Sequence, residues 1–433
     1  MLKEASEPLV EHLDYMGMCA TQCHASPRGT DYRQFVQIPN GLVFPWTGGG
    51  IVPPSSKGSR YHKPLDTNER DVRELTETEK DTLRTKNLAL LLQHESVTIG
   101  SDPEFFLEEG GTIIPAWTVL PSKEAPIELS ATLRDGSLTP AMLHSSAYWD
   151  GLQAEARFKD TAMCLDVVVY GIEQALLGTL REVRKLRPQA RLSSRSVIEV
   201  PTEQLIKYPQ EYVQFGCKPS LNAYGHEWEP VIDPYSINMR PAGGHIHFGH
   251  KGITDSNAAD IVKAVDAILG IMSVGMFQHV DNPKRRTLYG KAGEYRKTSY
   301  GLEYRVLSNQ WCLNSTVGYL TLDLARASLY MYLQGYFDSW LTTDMEVEET
   351  INTANVSMAH SILGRNMPMI EGLLLWMFPN NGTSERSKIA RQAALQAMFE
   401  GIPAKAFADP EKNLQPVNGS NHWMVRGTEV MKP

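Results

Sequence analysis

The 433-residue sequence has only five cysteines, at positions 19, 23, 164, 217 and 312, an odd number scattered over a long chain. That pattern suits a reducing compartment better than a disulfide framework. Cys19, Cys23 and His24 lie close together, but no second pair follows at zinc-finger spacing, so they read as incidental. Positive charge is also short: 42 Lys and Arg against 50 Asp and Glu give a net charge of -8. Electrostatic nucleic-acid binding needs a basic surface, so no direct nucleic-acid contact is expected, although a local basic pocket is compatible with this balance. No apolar run is long and clean enough for a membrane span; the best candidate, Tyr319 to Leu341, contains Asp323, Arg326 and Asp338. The amino terminus, MLKEASEPLVEHLD, has early acids and no apolar core of signal-peptide length. Internal repeats and low-complexity tracts are missing. The expectation is a soluble protein of the cytoplasm.

What is present is 42% hydrophobic content, enough for one large core with appendages. Residues 1–94 read as an extension. From Ser26 to Pro64 it is rich in Gly, Pro, Ser and aromatics, irregular chain that could wrap a neighbouring surface through Phe44 and Trp46. A helix then follows Thr67 or Asn68, with acids crowding its early turns. From Val97 the texture changes to strands alternating with long helices. VTIGSDPEFFL, DGLQAEARF, GGHIHFGH and GLEYRVLSN read as strands. MCLDVVVYGIEQALLGTLREVRKL reads as a helix, as does TDSNAADIVKAVDAILGIMSVGMFQHV, with Thr254 or Asp255 as its cap. Two or three more helices reach to about residue 400. The fold class is α+β.

The four strands share one feature. On the first, Asp102 and Glu104 point the same way; on the second, Gln153, Glu155 and Arg157; on the third, His245 and His247; on the fourth, Glu303 and Arg305. Apolar residues such as Leu152, Ala154, Ile246, Phe248, Leu302 and Tyr304 occupy the alternate positions. An antiparallel sheet with helices on its apolar face and a charged opposite face is the simplest assembly. An exposed sheet face is polar anyway, but an idle one carries Thr, Ser and Lys rather than Glu, His and Arg. Gathered carboxylates repel one another unless cations compensate, and oxygen ligands suit a hard divalent ion such as Mg²⁺ or Mn²⁺. Arginines beside them suit phosphate. The glycine-punctuated loop of residues 282–301 adds Arg285, Arg286, Lys291 and Arg296 as phosphate candidates. Asn222, in the turn-rich stretch 215–225, either reaches a ligand or stabilises a turn.

The order of these motifs, an acidic first strand, DG…E.R, GGHIHFG, a long helix, YGKAGEYR and GLEYRVLSN, resembles the phage-associated amidoligases, or COOH-NH2 ligases. The resemblance spans roughly residues 95–345. It implies a curved antiparallel sheet of the glutamine synthetase and glutamate-cysteine ligase type, with helices on one face. The implied domains are an extension, 1–94, a ligase-like catalytic domain, 95–345, and a C-terminal helical segment and tail, 346–433. The implied activity is an ATP-dependent carboxylate-amine ligase that works through an acyl phosphate, with ATP and Mg²⁺ or Mn²⁺ as cofactors. Carried over position by position, Glu104, Glu155, His247 and Glu303 are expected metal ligands. His245, Arg240, Lys291, Arg296 and Arg305 are expected nucleotide contacts, and either histidine fits metal or phosphate. Arg305, Arg296 and Asp150 are the expected catalytic residues. Asp102 has a less settled role, and the general base is open among Asp102, Asp150, Glu155 and another acid. The carboxylate and amine are not identified by the motifs; a peptide or protein end, a cell-wall peptide and a small metabolite all qualify. Oligomeric state is open too.

Two other readings compete. A phage particle component or binding module built on the same fold would put the work in the extensions, and would place the protein in the virion among other particle proteins. A zinc hydrolase would be built on His245 and His247 with one acid, although no third histidine stands in a comparable place.

Overall fold

A computed structural model describes residues 97–432 except 130–144, 159–164, 215–219, 226–232, 251, 334, 336, 338–339, 379–383 and 415–421. The expected extension, with Phe44, Trp46 and its helix, lies outside the described residues, as do Cys19, Cys23, Cys164 and Cys217.

The chain enters as β1 (Thr98–Ser101), breaks at Asp102 and Pro103, and resumes as β2 (Glu104–Phe105), β3 (Leu107–Glu109) and β4 (Thr112–Ile114). β5 (Ile127–Leu129), β6 (Ser145–Asp150) and β7 (Gln153–Phe158) come next, then helix α1 (Leu165–Arg184). The short strands β8 (Arg191–Leu192), β9 (Val197–Glu199), β10 (Leu221–Asn222) and β11 (Met239–Pro241) lead to β12 (Ile246–Gly249). Helices α2 (Ala258–Val265) and α3 (Ile271–Met276) are joined by a π-turn, Asp266–Gly270, and precede the hairpin of β13 (Glu294–Thr298) and β14 (Gly301–Tyr304). The rest is helical: α4 (Ser315–Leu333), α5 (Asp344–Asn352), α6 (Val356–Arg365), α7 (Met367–Met377), α8 (Ser384–Glu400) and α9 (His422–Val430). None of the helices among the described residues is long and apolar enough to cross a membrane.

Mixed helix and antiparallel sheet is the architecture expected, but the acidic strands do not share one curved sheet. β1, β12, β14, β13 and β10 form a five-stranded sheet in that order, while β2, β7, β6 and β5 form a separate four-stranded one. The division falls at Asp102–Pro103. Proline has no N–H for a ladder, so the strand that enters as β1 leaves its partner β12 there and pairs with β7 instead.

Register fixes which side chains share a face. Gly100, His247, Glu303 and Arg296 stand in one row across β1, β12, β14 and β13. Glu104, Glu155 and Tyr148 stand in another across β2, β7 and β6. On the far side of the first sheet, Ile99, Ile246, Phe248, Leu302 and Tyr304 are fully buried in one core with α1 to α4. The alternation of histidine and apolar residue in β12 is thus two-faced: the apolar side chains anchor the strand, and the imidazoles are left for the other side. A smaller apolar cluster, around Phe106, Leu152, Ile198, Leu205 and Val213, underlies the 197–242 region.

The second long helix begins later than expected. Asn257, not Thr254 or Asp255, precedes its first residue, and the Asn257 side chain turns back to accept from the Thr254 N–H at 2.8 Å. The strand expected over GLEYRVLSN ends at Tyr304. Among the described residues five helices, α4 to α8, lie between β14 and Glu400 where two or three are expected; α5 carries a full capping box between Thr343 and Glu346.

Candidate metal and phosphate site

The site is assembled where the two sheets meet. Asp102 lies at the joint, and Glu104, two residues on, is clasped by the glycine pair before β12. Its N–H donates to the Gly243 carbonyl at 2.9 Å, and the Gly243 N–H donates to Glu104 Oε2 at 2.7 Å. Ser101 ties the other flank, donating through Oγ to the His245 carbonyl at 2.7 Å. The pair Gly243–Gly244 is required by close approach. A Cβ on Gly243 would come within 2.6 Å of His245 Nε2, and one on Gly244 within 2.6 Å of both the Ser308 carbonyl and Trp311 Nε1.

Both imidazoles turn to Asp102. His245 Nδ1 lies 3.1 Å from Asp102 Oδ1, and His247 Nε2 lies 3.0 Å from the same oxygen. His245 Nδ1 is also 3.3 Å from Glu303 Oε1, and its Nε2 is 4.0 Å from Glu104 Oε1. Two sets of donors result. Asp102, His245 and Glu303 offer one ligand atom each within 4.8 Å of one another, and Glu104, Asp150 and Glu155 do the same. His245, between Glu303 and Glu104, joins the two sets.

Cations and phenols surround these acids. The buried Arg305 donates to Glu303 Oε1 at 2.7 Å and to the Tyr289 hydroxyl at 2.9 Å, and Arg296 donates to Glu303 Oε2 at 3.2 Å. The Tyr289 hydroxyl also bonds His245 Nε2, and the Tyr300 hydroxyl bonds His247 Nδ1 at 2.8 Å. In the second set, Tyr148 donates to Glu155 and accepts from Arg157 at 2.8 Å. Lys123 and Arg157 each lie 5.3 Å from the Tyr148 ring centre. Arg296 and Arg157 are partly exposed, whereas Arg305 is 1% exposed, so guanidinium groups stand at both the rim and the floor.

Electrostatics divide the carboxylates. Burial pushes Asp102 up, but His247 and His245 beside it win and hold it well below the usual carboxylate range. His247 moves the other way: burial lowers it, and Asp102 raises it further than that. Glu155 is pushed well up by burial and then by the charges of Asp102 and Asp150. Asp150 rises to about 6, by burial and then the charge of Glu104. Acids packed closely enough to raise one another's pKa are what a cation relieves. An oxygen-rich set with a single imidazole fits a hard divalent ion rather than zinc.

Another buried acid braces the site from behind. Asp266, in the π-turn, accepts from the Tyr304 hydroxyl at 2.6 Å and from the Gly293 N–H at 2.5 Å. It therefore holds together the strand that carries Glu303 and the loop that carries Lys291. Burial, against the pull of those hydrogen bonds, raises it to about 7.

Glu104, Asp150, Glu155, His245, His247, Arg296, Glu303 and Arg305 are thus brought together, but of the expected metal ligands only Glu104, Glu155 and Glu303 fall in the donor sets, where His245 stands in place of His247. Lys291 sits close by in the Gly290–Gly293 turn, where its charge acts on Glu294. Arg240 is not brought in. Its guanidinium donates to the carbonyls of Val213, Pro234, Ile237 and Met239 at 2.6 to 3.1 Å, so these contacts tie it to the backbone of the 213–239 region and not to the acids. Arg285 and Arg286 are also buried away from the acid floor, both paired with Asp281 at 2.9 and 3.0 Å. Asn222 stabilises a turn: it donates to the Ala292 carbonyl and accepts from the Tyr224 N–H. Tyr148, Tyr289, Tyr300 and Lys123 went unread in the sequence. The signal available for the first was position, since Tyr148 stands two before Asp150 on one strand face.

Residues 229–373 match the family model described as Phage phiEco32-like COOH.NH2 ligase-type 2, the family that the motifs resemble. His245, His247, Arg296, Glu303 and Arg305 lie inside that segment; Asp102, Glu104, Asp150 and Glu155 lie before it. Comparison with curated proteins gives no match, and comparison with solved structures gives none either.

Proposed function

From the match of residues 229–373 to the COOH-NH2 ligase family model, we propose that the protein is an ATP-dependent ligase joining a carboxylate to an amine, with a catalytic sheet related to that of glutamine synthetase and glutamate-cysteine ligase. The observation that carries the reading is the pair of adjoining donor sets, Asp102, His245, Glu303 and Glu104, Asp150, Glu155, with arginines on either side. A carboxylate is a poor electrophile at neutral pH and becomes reactive once phosphorylated. Divalent cations in the two sets would supply charge neutralisation for the ATP phosphates.

The chain's own residues then have distinct tasks. Arg305, fixed between Glu303 and Tyr289, would present a rigid guanidinium to the transferring phosphoryl group. Arg296 and Lys291 would hold the remaining phosphate charge nearer the rim. On the other side, Lys123 and Arg157 flank the second set, where the substrate carboxylate has two cations to meet. Asp150, by its place at the β6–β7 turn, is the base we assign to the incoming ammonium, with Glu104 and Glu155 left as the ligating acids of that set. Here it departs from a purely ligating acid.

The test is a hydroxylamine trap. The full chain is incubated with ATP, Mg²⁺, candidate carboxylates and hydroxylamine as surrogate amine, and hydroxamate is measured together with released phosphate. Mg²⁺-dependent hydroxamate supports the reading. Failure of Mg²⁺ and ATP to raise the melting temperature jointly would sink it, because ligands of the folded state stabilise by mass action.

A further inference from the structure

We infer that Tyr289 is a positioning residue whose hydroxyl keeps Nε2 of His245 occupied, so that His245 meets a divalent cation through Nδ1 while Nε2 carries the ring hydrogen. This rests on the cation-binding reading above and extends it to the atom used. A guanidinium only donates, so the Arg305 Nη2–H at 2.9 Å occupies one lone pair of the Tyr289 oxygen. The same hydroxyl bonds His245 Nε2. On the other edge of the ring, Nδ1 lies 3.1 Å from Asp102 Oδ1 and 3.3 Å from Glu303 Oε1. A nitrogen lone pair aimed at two carboxylate oxygens is repelled by both, so without a cation Nδ1 carries a hydrogen and donates.

Asp102, His245 and Glu303 would hold a divalent cation, and Nδ1 is the atom His245 would offer to it. In the neutral ring the hydrogen given up at Nδ1 is made good at Nε2 through solvent, so no proton is released overall. Nε2 is then a buried donor, His245 being 3% exposed, and it needs an acceptor. A tyrosine hydroxyl can donate to a bare Nε2 and accept from a protonated one, which no apolar side chain of that shape can do. The seat is closed on its other side: a Cβ on Gly243 would come within 2.6 Å of Nε2 and 3.1 Å of the Tyr289 hydroxyl.

The test uses the full chain labelled with ¹⁵N-histidine and Mg²⁺ alone as probe. Long-range ¹H–¹⁵N correlation, with His245 assigned by its loss in His245→Asn, reports which ring nitrogen carries hydrogen, and calorimetry reports Mg²⁺ binding in parallel. Expected is hydrogen at Nδ1 without Mg²⁺, and hydrogen at Nε2 alone at saturation. In Tyr289→Phe, Mg²⁺ affinity should fall roughly tenfold or more, because Nε2–H loses its acceptor. Hydrogen remaining on Nδ1 while calorimetry shows saturation overturns the inference and leaves the ligase reading standing. Unchanged affinity in Tyr289→Phe, whatever happens to its melting temperature, overturns it too. Calorimetry that detects no Mg²⁺ binding overturns both.

Discussion

Replacing Asp266 by asparagine isolates one buried charge. The Asp266 carboxyl is inaccessible to solvent and accepts from Tyr304 and Gly293, yet burial lifts its pKa from the ordinary 3.8 to about 7. The folded state therefore binds a proton more tightly than the unfolded chain between those values. Stability contributed by this group is full below pH 3.8, declines as pH rises through the window, and levels off above about 7. Three pKa units correspond to about 4 kcal/mol. Asparagine keeps the shape: its carbonyl can accept from Gly293 while its amide donates to the Tyr304 oxygen, and it does not ionise. Urea unfolding of both proteins from pH 4.5 to 8.5 measures the effect. Glu155 and Asp150 also titrate with raised pKa, but they are common to both chains and cancel in the difference. Asp266→Asn should gain on the parent by about 3 kcal/mol between pH 4.5 and 7.5. Parallel stability curves across that range would refute the argument, since they would mean that the carboxylate pays no desolvation penalty in the fold.

Other expected outcomes follow from single contacts. Arg305→Lys should keep the fold and most ATP binding but slow phosphoryl transfer roughly 10²-fold, because an ammonium cannot reproduce the two directed contacts of the guanidinium; steady-state phosphate release measures it. Gly243→Ala should weaken Mg²⁺ binding in calorimetry and lower the melting temperature, since two buried rings, those of His245 and Tyr289, must shift. Gly275→Ala should lower unfolding free energy by about 1–3 kcal/mol, since its Cβ would sit 2.0 Å from the Met398 carbonyl of α8 and the two helices must part. Arg240→Lys should raise protease sensitivity in the 200–240 region and leave Mg²⁺ affinity alone, because its guanidinium serves only backbone carbonyls there among its described contacts.

The acids and histidines of the site were legible because strand periodicity is local: alternation alone places Glu104, Glu155, His245, His247, Glu303 and Arg305 on polar faces. What alternation cannot convey is which strands pair. The split of the sheet at Asp102–Pro103 depends on β7 being available to take β2 from β12, a contact between distant parts of the chain. Arginine was the least legible residue type. Arg240, Arg285, Arg296 and Arg305 look alike in sequence, but Asp281 holds Arg285 and backbone carbonyls hold Arg240, while Glu303 holds the other two. Tyr148, Tyr289 and Tyr300 carry no signal of their own in sequence, because a phenol suits a core as well as a site; at these positions it is the hydroxyl that meets the site.

The joining of β1 to β12 also sets when the site can come into being. Ser101 and the carbonyl it bonds, that of His245, are 144 residues apart in sequence. Each half can form its own local pairs early: β6 with β7 across a two-residue turn, and β13 with β14 across another. Asp102 reaches His245 only after a long loop has closed, an event whose entropic cost falls late in folding and slows chains rich in distant contacts. Nascent or partly refolded molecules could therefore hold Glu104, Asp150 and Glu155 together while Asp102 is still apart from His245 and Glu303. The first donor set is complete only in chains that have finished folding, so a cation bound there would report on completed assembly.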